Sequence, residues 1–325
     1  MNQLMYMAGM MGQASKVLVR RMLGQQTLPS WKLSTELVWA TTRYTMLSSH
    51  RHGLPWLKQL SASFTPKTKS KQVRLTEMNR PWGNYLEIQP NSLNDPSAPI
   101  MIYFHGGGYV IGSPQASGPF LAELAAATQM LVLAPTYPTA PEEVYPAAHR
   151  AALSLTHHLI NAYPDRPVYL AGDSAGAALA LSIMMQLSHD SAVNIRGGIL
   201  ISPWTDPASE TGSIQTNADI DIGDPAYLKA CYDTYLAGKR EDPSDPLTFR
   251  EEALPPLPPI LLTVGTAEML LDQTTELKEA LTRTGTQAEL ITYPDMFHTF
   301  WNLPGTIPEA DRLIQEIAAW RLGQA

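Results

Sequence analysis

The arrangement of apolar and polar positions changes character twice along the chain. Residues 1–60 carry apolar side chains near helical spacing, most clearly in WKLSTELVWATTRYTMLSS, and predict helices. A basic join at Lys67–Lys71 follows. After it come two short alternating runs, QVRLTEM and GNYLEIQ, and the turn residues Asn79–Pro81 between them predict a β-hairpin. From residue 99 onward, apolar runs alternate with helical stretches.

The apolar runs after residue 99 have no polar face, which is typical of strands buried in a parallel sheet. These runs are PIMIYF, MLVLA, PVYLAG, GILIS, PPILLTV and, near the end, AELITY. Helical stretches are predicted between and after them, around 117–128, 147–163, 174–188, 272–284 and 308–322. Repetition of strand, turn and helix predicts an α/β fold with a mostly parallel sheet of about eight strands, flanked by helices.

Two helical segments stand outside this repetition. We expect residues 1–65 to form an N-terminal helical cap region and residues 66–325 to form the α/β domain. Within that domain, residues 206–245 read as a mostly helical insertion that contributes to the cap. Such a cap would cover the carboxyl ends of the strands, which is where ligands bind in open α/β sheets.

Composition narrows the chemistry that the chain can support. With 44% hydrophobic residues among 325, the chain can bury a large core. The single Cys231 excludes an intrachain disulfide and a zinc site built on several thiolates, and we expect it to be a buried structural thiol. No run of 18 apolar residues predicts a membrane-spanning helix. We recognise no secretion signal, so a cytoplasmic protein is the expectation.

Charge is distributed unevenly along the chain. Residues 1–80 hold 12 Lys and Arg against two acidic residues, whereas the remainder holds 11 against 28. Two interpretations stay open: a basic N-terminal element that packs on an acidic body, or a peripheral contact with anionic lipid. We do not expect nucleic acid as a partner, because neither basic–aromatic interleaving nor a known motif accompanies the charge.

A serine between glycines is the first candidate for chemistry. The segment GDSAG, residues 172–176, follows the strand PVYLA and opens the helix ALALSIMMQL. This context places a serine on a sharp, strained turn, and the small residues two positions away let strand and helix pass closely. We therefore predict Ser174 as a nucleophile. The alternative is a βα turn in which Ser174 only caps the helix.

Three consecutive glycines follow the strand PIMIYF, in the segment HGGG at residues 105–108. We expect the N–H groups of Gly106 and Gly107, with that of Ala175, to bind the oxyanion that forms when a serine attacks an acyl carbon. A phosphate-binding loop would require G-x-G-x-x-G before a helix, or a following Lys-Ser/Thr, and neither is present. His105 is expected to be a structural hydrogen-bonding residue.

Chain order restricts the remaining catalytic groups, since in this arrangement the serine precedes the acid and the acid precedes the histidine. Only His189 and His298 follow Ser174, and His189 ends the helix that the serine begins, so His298 is the predicted base. The acid should lie after a strand. Glu268, in the turn after ILLTVG, is favoured, and Asp272 stays open as the alternative acid or as a helix N-cap. Either carboxylate would hold the imidazole tautomer.

With these motifs in place, the chain resembles the hormone-sensitive-lipase family of esterases, the HGGG-type α/β-hydrolases, from about residue 72 to the C-terminus. The segment TYPTAPEEVYPAA, 136–148, is similar to the family's DYRLAPE…PAA. The segment SPWTD, 202–206, looks like the family's S-P-W-x-D beside the acyl pocket. Thr136 stands where the family commonly has Asp, and Pro138-Thr139 replace Arg-Leu, so a structural ion pair is expected to be missing.

The resemblance implies an α/β-hydrolase fold and a catalytic domain that hydrolyses carboxylic esters through Ser174, Glu268 and His298, without metal or cofactor. The family's D-x-L-x-D/E pattern also favours Glu268 over Asp272. A lactonase or an amidase would use the same machinery. Some hormone receptors that resemble the family have lost the catalytic histidine, whereas His298 is present here.

The resemblance also bears on the substrate, a small ester with a short to medium acyl chain. Tyr109, after the glycines, and Trp204 are expected to supply large apolar walls of the acyl pocket, although both aromatic residues could instead belong to the core. The last strand, AELITY, is expected at a sheet edge, and edge strands often pair, so a homodimer is an additional expectation.

Overall fold

The computed structural model describes residues 3–63, 66–68, 70–188 and 194–324. The rejected base candidate His189 lies outside these residues. Eight strands form one sheet: β1 Val73–Arg80, β2 Gly83–Pro90, β3 Ile100–Phe104, β4 Leu131–Pro135, β5 Val168–Asp173, β6 Ile195–Ile201, β7 Ile260–Gly265 and β8 Ala288–Tyr293. Their order across the sheet is β1-β2-β4-β3-β5-β6-β7-β8.

The sheet is antiparallel at one side and parallel over the remainder. Strands β1 and β2 form the predicted hairpin, in which Arg80 pairs with Gly83 across a two-residue turn. Strand β2 pairs antiparallel with β4, and every later pairing is parallel. Strand β8 lies at the sheet edge, as expected from its sequence. The predicted mostly parallel eight-stranded sheet is therefore confirmed.

Helices precede the sheet in the chain, cover both of its faces, and also occur in the long segment between β6 and β7. They are α1 Gln3–Met22, α2 Leu33–Leu47, α3 Ser49–His52, α4 Leu54–Ser63, α5 Gly118–Thr128, α6 Ala147–Ala162, α7 Ala175–Leu187, α8 Ser213–Thr216, α9 Pro225–Leu236, α10 Leu271–Arg283 and α11 Pro308–Gly323. The five helices predicted after residue 99 match α5, α6, α7, α10 and α11. Within the described residues, no helix combines the length and apolarity that crossing a membrane requires.

The sheet separates two apolar clusters, and strand β3 shows how the side chains are divided between them. Ile100, Ile102 and Phe104 belong to the cluster formed with α6, α7 and α10, whereas Met101 and Tyr103 belong to the cluster formed with α5 and α11. Successive side chains of a strand point to opposite faces. Because both faces are covered, all five residues of β3 are buried, which explains the continuous apolar run in the sequence.

The N-terminal helices pack beside the segment that interrupts the sheet pattern. Helix α1 packs on α2, and α2 contacts the loop between α8 and α9: Trp39 Nε1 donates to Ile220 O at 2.6 Å, and Arg43 Nη1 donates to Gly223 O at 2.8 Å. In the predicted insertion 206–245, only α8 and α9 are helical, and turns, bends and irregular backbone make up the remaining positions, so the prediction that the insertion is mostly helical was wrong. The domain boundary at residue 65 stays a prediction.

Candidate active site

Ser174 lies on a strained turn at the carboxyl edge of the sheet. It joins β5 to α7 with a φ of 54°, a value that few non-glycine residues adopt. Its N–H donates to Ile201 O at 2.8 Å, which fixes the turn to the neighbouring strand. Glycine is required two positions later, because a Cβ atom at Gly176 would lie 2.1 Å from Phe104 O. This geometry presents the serine hydroxyl above the strand ends.

His298 and Glu268 form a hydrogen-bonded pair at the same edge. Glu268 lies in the turn after β7 and His298 lies in the loop after β8, and Nδ1 of the histidine donates to Oε2 of the carboxylate at 2.7 Å. The other oxygen, Oε1, accepts from Ser202 Oγ at 2.8 Å and from Gly265 N at 2.6 Å. The carboxylate is fully buried and fixed from three directions. With Nδ1 protonated, Nε2 of His298 is the atom that can accept a proton.

The charges around His298 determine its proton affinity. Burial disfavours the charged imidazolium, but the hydrogen bond to Glu268 and the negative charges of Glu268, Asp221 and Asp173 outweigh burial and raise the pKa of His298 above its ordinary value. The imidazolium that forms during proton transfer is thus stabilised by the residues that surround it.

Asp272, the alternative acid, occupies a different environment. It lies in the first turn of α10, and its Oδ2 accepts from the backbone N–H of Ser213 at 2.7 Å. The N-cap position of α10 is Leu270, so the prediction of Asp272 as N-cap was wrong. The carboxylate of Asp272 therefore attaches α8 to α10, while Glu268 is the acid that contacts the imidazole.

In the glycine loop, one predicted oxyanion donor, the N–H of Gly106, is already bonded within the protein. The N–H of Gly106 donates to Asp173 Oδ1 at 2.9 Å and is therefore not available to a substrate. The same Oδ1 accepts from Tyr103 Oη at 2.7 Å, so Asp173 fixes the loop to the sheet. Within the described residues, the N–H groups of Gly107 and Gly108 meet no protein acceptor. The prediction of Gly106 as an oxyanion donor was therefore wrong. Gly107, which was also predicted, and Gly108 are the glycines whose N–H groups remain free.

Ala175, which follows the serine directly, is a further candidate backbone donor. It is the first residue of α7, and the first N–H groups of a helix have no acceptor within the helix. The positive end of the helix dipole also favours negative charge at this position. Ala175 therefore begins the helix as the sequence predicted, and its role as an oxyanion donor stays a prediction.

His105 is a structural residue, as expected. Its ring stacks on Tyr137 with 4.3 Å between ring centroids, and its Nδ1 donates to Gly106 O at 2.8 Å. Burial lowers the pKa of His105 to about 4, so the ring is neutral near pH 7. The neutral ring thus holds the glycine loop in place through its hydrogen bond to Gly106 and its stacking on Tyr137.

A cavity of about 260 Å³ contains Ser174, His298 and the glycine loop. Both helical segments contribute to its walls: Met46 of α2 comes from the N-terminal helices, and Tyr227 of α9 comes from the insertion. Trp204 also lines this cavity, as predicted. The helices thus cover the strand ends in the manner of a cap.

Tyr109 does not reach the cavity, in contrast to its predicted role as a pocket wall. The N–H groups of Val110 and Ile111 donate back to Gly107 O at 3.0 and 2.9 Å, forming a tight turn in which Tyr109 has a φ of 61°. This turn directs the aromatic ring into the core, where it stacks on Tyr235 with 4.4 Å between centroids. The alternative core interpretation therefore holds for Tyr109.

Cys231 lies in α9 and is buried, as expected, and it also lines the cavity. A Cβ atom at Gly108 would lie only 3.0 Å from the Cβ of Cys231, so the thiol packs against the oxyanion loop. Burial raises the pKa of the Cys231 thiol to about 12, which keeps it protonated and unreactive.

Asp221 is a buried carboxylate that sequence reasoning missed. Its Oδ1 accepts from the backbone N–H groups of His298 and Ile222, both at 2.8 Å. Its Oδ2 accepts from the N–H of Met269, the residue after Glu268, also at 2.8 Å. Asp221 lies in the insertion, which carries no recognised motif, so no sequence signal pointed to it.

Comparison with known proteins identifies the class. A family model described as having an alpha/beta hydrolase fold matches residues 101–302, more than half of the chain. The chain therefore belongs to this α/β-hydrolase family.

The relatives and solved structures narrow the class further. An acetyl-hydrolase of Streptomyces hygroscopicus is 36% identical over 224 residues, which cover 68% of this chain and 74% of that protein. An esterase of Acinetobacter venetianus is 28% identical, covering 81% and 86%. The crystal structure of an esterase from the bacterial hormone-sensitive lipase family superposes with a TM-score of 0.79 at 25% identity, covering 91% of this chain and 99% of that one. The protein is thus an esterase of the hormone-sensitive-lipase type.

Proposed function

We propose that this esterase hydrolyses short- to medium-chain carboxylic esters through a triad of Ser174, His298 and Glu268 and a covalent acyl-enzyme. The observation that carries the proposal is the 2.7 Å hydrogen bond between Glu268 and His298, in a cavity that also contains the serine on its strained turn. These are the three roles that nucleophilic hydrolysis requires: a nucleophile, a base and a group that orients the base.

In the first half-reaction, Nε2 of His298 removes the proton from the Ser174 hydroxyl as Oγ attacks the ester carbonyl carbon. Glu268 holds the Nδ1 proton and stabilises the imidazolium that results. His298 then transfers the proton to the leaving alkoxide, and the alcohol departs. The serine oxygen keeps the acyl group.

The carbonyl oxygen becomes negative in each tetrahedral intermediate. We assign its stabilisation to the N–H groups of Gly107, Gly108 and Ala175, which have no hydrogen-bond acceptor among the described residues. Donors that are oriented before the reaction gain the most as charge develops, because no reorganisation is needed. Asp173 maintains this orientation through its hydrogen bond to the N–H of Gly106.

In the second half-reaction, His298 removes a proton from water, which attacks the acyl-enzyme carbonyl. Collapse of the intermediate releases the carboxylic acid and returns the proton to Ser174. The sum is one ester and one water converted to one acid and one alcohol. His298 carries the proton in each half-reaction.

The size of the cavity supports a short acyl chain. Its volume of about 260 Å³ is at or just below the lower end of the roughly 300–1,000 Å³ typical of ligand pockets. Trp204, Met269 and Cys231 are among the side chains that line it. A relative is named as an acetyl-hydrolase, which agrees with a small acyl group.

The first test is a series of p-nitrophenyl esters of increasing acyl length, hydrolysed by the wild type and by Ser174→Ala. We expect maximal turnover at about four to eight acyl carbons, from the pocket size and the family resemblance. Ser174→Ala should lose on the order of 10⁶ in turnover. A clear preference for sixteen or more carbons would contradict the proposed acyl range.

Labelling with a fluorophosphonate separates the triad from the choice of substrate. The wild type should be labelled and Ser174→Ala should not. Labelled protein that cleaves lactones or amides but no ester would shift the function to those substrates. Unlabelled wild type would contradict the triad itself and favour a non-catalytic receptor.

The homodimer stays a prediction. Strand β8 lies at the sheet edge, so its outer backbone groups can pair with a second copy. Sedimentation equilibrium tests this: a Pro at Ile291, in the middle of β8, should convert a β8-paired dimer to a monomer.

A further inference from the structure

Helix α1 directs apolar side chains towards solvent. Nine large hydrophobic side chains are exposed in the described part of the chain, and seven of them lie between residues 5 and 23. These seven are Met5, Met7, Met11, Leu18, Val19, Met22 and Leu23. Only Leu33 and Leu322 lie elsewhere. A concentration of this kind differs from the scattered exposed apolar residues of ordinary surfaces and indicates an interaction site.

The opposite side of α1 is already packed against the protein. Tyr6 and Val17 are each 5% exposed, and Tyr6 Oη forms a 2.7 Å hydrogen bond with Thr45 Oγ1 of α2. At 100° per residue, Tyr6 and Val17 share one side of the helix, whereas Met11, Leu18 and Met22 lie on another. The helix is thus anchored by one side and leaves a second apolar side without a partner.

Two basic residues follow the exposed apolar side along one edge: at 100° per residue, Lys16 lies about 60° beyond Val19, and Arg20 lies about a further 40° round the helix. Lys16 and Arg20 are exposed on the same helix. They belong to the segment 1–80, which has 12 Lys and Arg against two acidic residues. An apolar helical face with basic residues at its border is the arrangement that lies in the interface of an anionic bilayer.

We propose that the exposed apolar side of α1, formed by Met11, Leu18, Val19 and Met22 and flanked by the basic Lys16 and Arg20 along its Val19 edge, docks on the surface of an anionic lipid bilayer. Two copies meeting through this face would bring like charges together, which disfavours a dimer here. The remaining chain, with 28 acidic residues against 11 basic ones, would be repelled from the lipid and so would face away.

Vesicle flotation tests the proposal. The probes are vesicles of phosphatidylcholine alone and vesicles that also contain phosphatidylglycerol. We expect the wild type to float with the anionic vesicles and to dissociate as salt is raised. The triple variant Met11→Gln, Val19→Gln, Met22→Gln should bind at least about tenfold more weakly, because it removes the apolar contact. Lys16→Glu with Arg20→Glu should weaken binding by about tenfold or more.

Leu322→Gln is the matched control, because Leu322 is 64% exposed on α11, away from α1. It should leave vesicle binding unchanged. Thermal melts monitored by circular dichroism confirm that each variant is folded. Equal binding of the wild type and the triple variant, or no binding of the wild type, would overturn the proposal. So would a wild-type dimer that ignores vesicles and that the triple variant dissociates, since the face would then be a self-association surface.

A second inference concerns Asp221 and rests on the proposed triad. The base and the acid lie on different loops, His298 after β8 and Glu268 after β7. Asp221 holds both loops through one carboxylate: Oδ1 bonds the N–H of His298, and Oδ2 bonds the N–H of Met269, each at 2.8 Å. It is 1% exposed. We infer that Asp221 is a positioning residue that fixes the separation of the base and the acid.

The N-terminal helices also bond to Asp221. Arg43 of α2 donates to the backbone oxygen of Asp221 and, at 2.8 Å, to that of Gly223. A displacement of about 1 Å in a catalytic group can cost about 10²-fold in rate. Asp221 would thus be one of the side chains through which the position of the cap affects His298.

Asp221→Asn, with Asp219→Asn as its control, tests this role. The amide keeps the shape of the side chain but places an NH₂ group against a backbone N–H and removes the charge. The other charged groups that face His298 are Glu268 and Asp173. We expect kcat to fall by about 10²-fold with little change in KM, and the acid limb of kcat/KM to move to lower pH.

Asp219 is exposed and lies two residues away, so Asp219→Asn should change neither quantity. If Asp221→Asn lowers only the melting temperature, with kcat and the pH profile unchanged, Asp221 is merely structural and the inference is wrong. Fluorophosphonate labelling of the wild type distinguishes this result from a failure of the triad, because it reports Ser174 independently of Asp221.

Discussion

The catalytic edge of the sheet and the N-terminal helices hold their structures in different ways. At the edge, buried carboxylates are each bonded by several donors: three reach Glu268 and three reach Asp221. In helices α1 to α4, the only buried carboxylate within the described residues is Glu36, and an apolar surface of α1 faces outward. When one member of a buried hydrogen-bonded network is changed, its partners have no other group to bond with. The exposed side chains of a surface helix can bond with water instead.

The two regions should therefore tolerate different substitutions. At the catalytic edge, one altered group leaves buried partners unsatisfied, so its effect on activity should be large. In the N-terminal helices, the same kind of substitution should change stability modestly and chemistry little.

The largest expected effect is on turnover. Glu268→Ala should lower kcat by roughly 10⁴, because His298 loses the group that fixes its tautomer and stabilises its charged form. Asp272→Ala, four residues later, should lower kcat less than about tenfold, since its carboxylate bonds Ser213 rather than the imidazole. The measurement is steady-state hydrolysis of p-nitrophenyl butyrate. Equal losses in both variants would remove the distinction between the two carboxylates.

Gly176→Ala at the catalytic edge and Gly12→Ala in α1 compare how the two regions respond to one added methyl group. A Cβ atom at Gly176 would lie 2.1 Å from Phe104 O and 2.3 Å from His105 O, and backbone atoms of a buried strand end cannot move away. Gly176→Ala should therefore destabilise the protein by roughly 3 kcal/mol or more.

Gly12, in the middle of α1, has nothing within 4 Å of its ideal Cβ position. Gly12→Ala should stabilise the protein by about 0.5–1 kcal/mol, because alanine loses less conformational freedom in a helix. Urea unfolding of both variants measures the two changes. Destabilisation by Gly12→Ala would contradict the expectation that the outward side of α1 accepts an added side chain without strain.

The sequence predicted much of the sheet and the candidate site, for physical reasons. Strands covered on both faces must be apolar throughout, so β3 to β7 appear as continuous runs. The turn around Ser174 requires small neighbours that are contiguous in the chain, and chain order then selected His298. Each of these signals is local or ordered along the sequence.

The features that sequence reasoning missed depend on contacts between distant segments. The glycine motif does not reveal that Asp173, 67 positions later, accepts the N–H of Gly106. Tyr109 follows the glycines directly, but its orientation depends on a local turn that no residue type specifies. Asp221 acquires its role only when the insertion meets the loops after β7 and β8.

Glu36 gives a smaller effect, confined to the N-terminal helices. It is fully buried and accepts from Arg21 Nε at 2.5 Å and from the N–H and Oγ1 of Thr27, both at 2.8 Å. Arg21 remains 22% exposed at its side chain, so solvent screens part of this interaction. Glu36→Gln should cost roughly 1–3 kcal/mol in unfolding free energy and leave kcat within about twofold.

Thermal unfolding and ester turnover, measured on the same preparation, check this separation. Ser174→Ala is the reciprocal control, because it should remove turnover and retain the melting temperature. A large loss of kcat in Glu36→Gln would show that the N-terminal helices influence the triad more strongly than expected from their hydrogen bonds to the remainder of the protein.

The smallest expected effect is a displacement of the pH profile. A base must be neutral to accept a proton, so kcat/KM should fall as pH decreases through the pKa of His298. The negative charges of Glu268, Asp221 and Asp173 raise that pKa, so the acid limb should lie above the ordinary histidine value of about 6.5. Asp272→Asn should leave the limb in place, because Asp272 is not among the groups that act on His298.

Glu268→Gln should move the residual acid limb to lower pH, because removal of the negative charge leaves burial, which favours the neutral imidazole, less opposed. The assay is kcat/KM on one soluble ester from pH 5 to 9 at constant ionic strength. A flat profile in the wild type would exclude His298 as the base. A limb that moves equally in Glu268→Gln and Asp272→Asn would show that distant charge, rather than the hydrogen bond within the pair, sets the proton affinity.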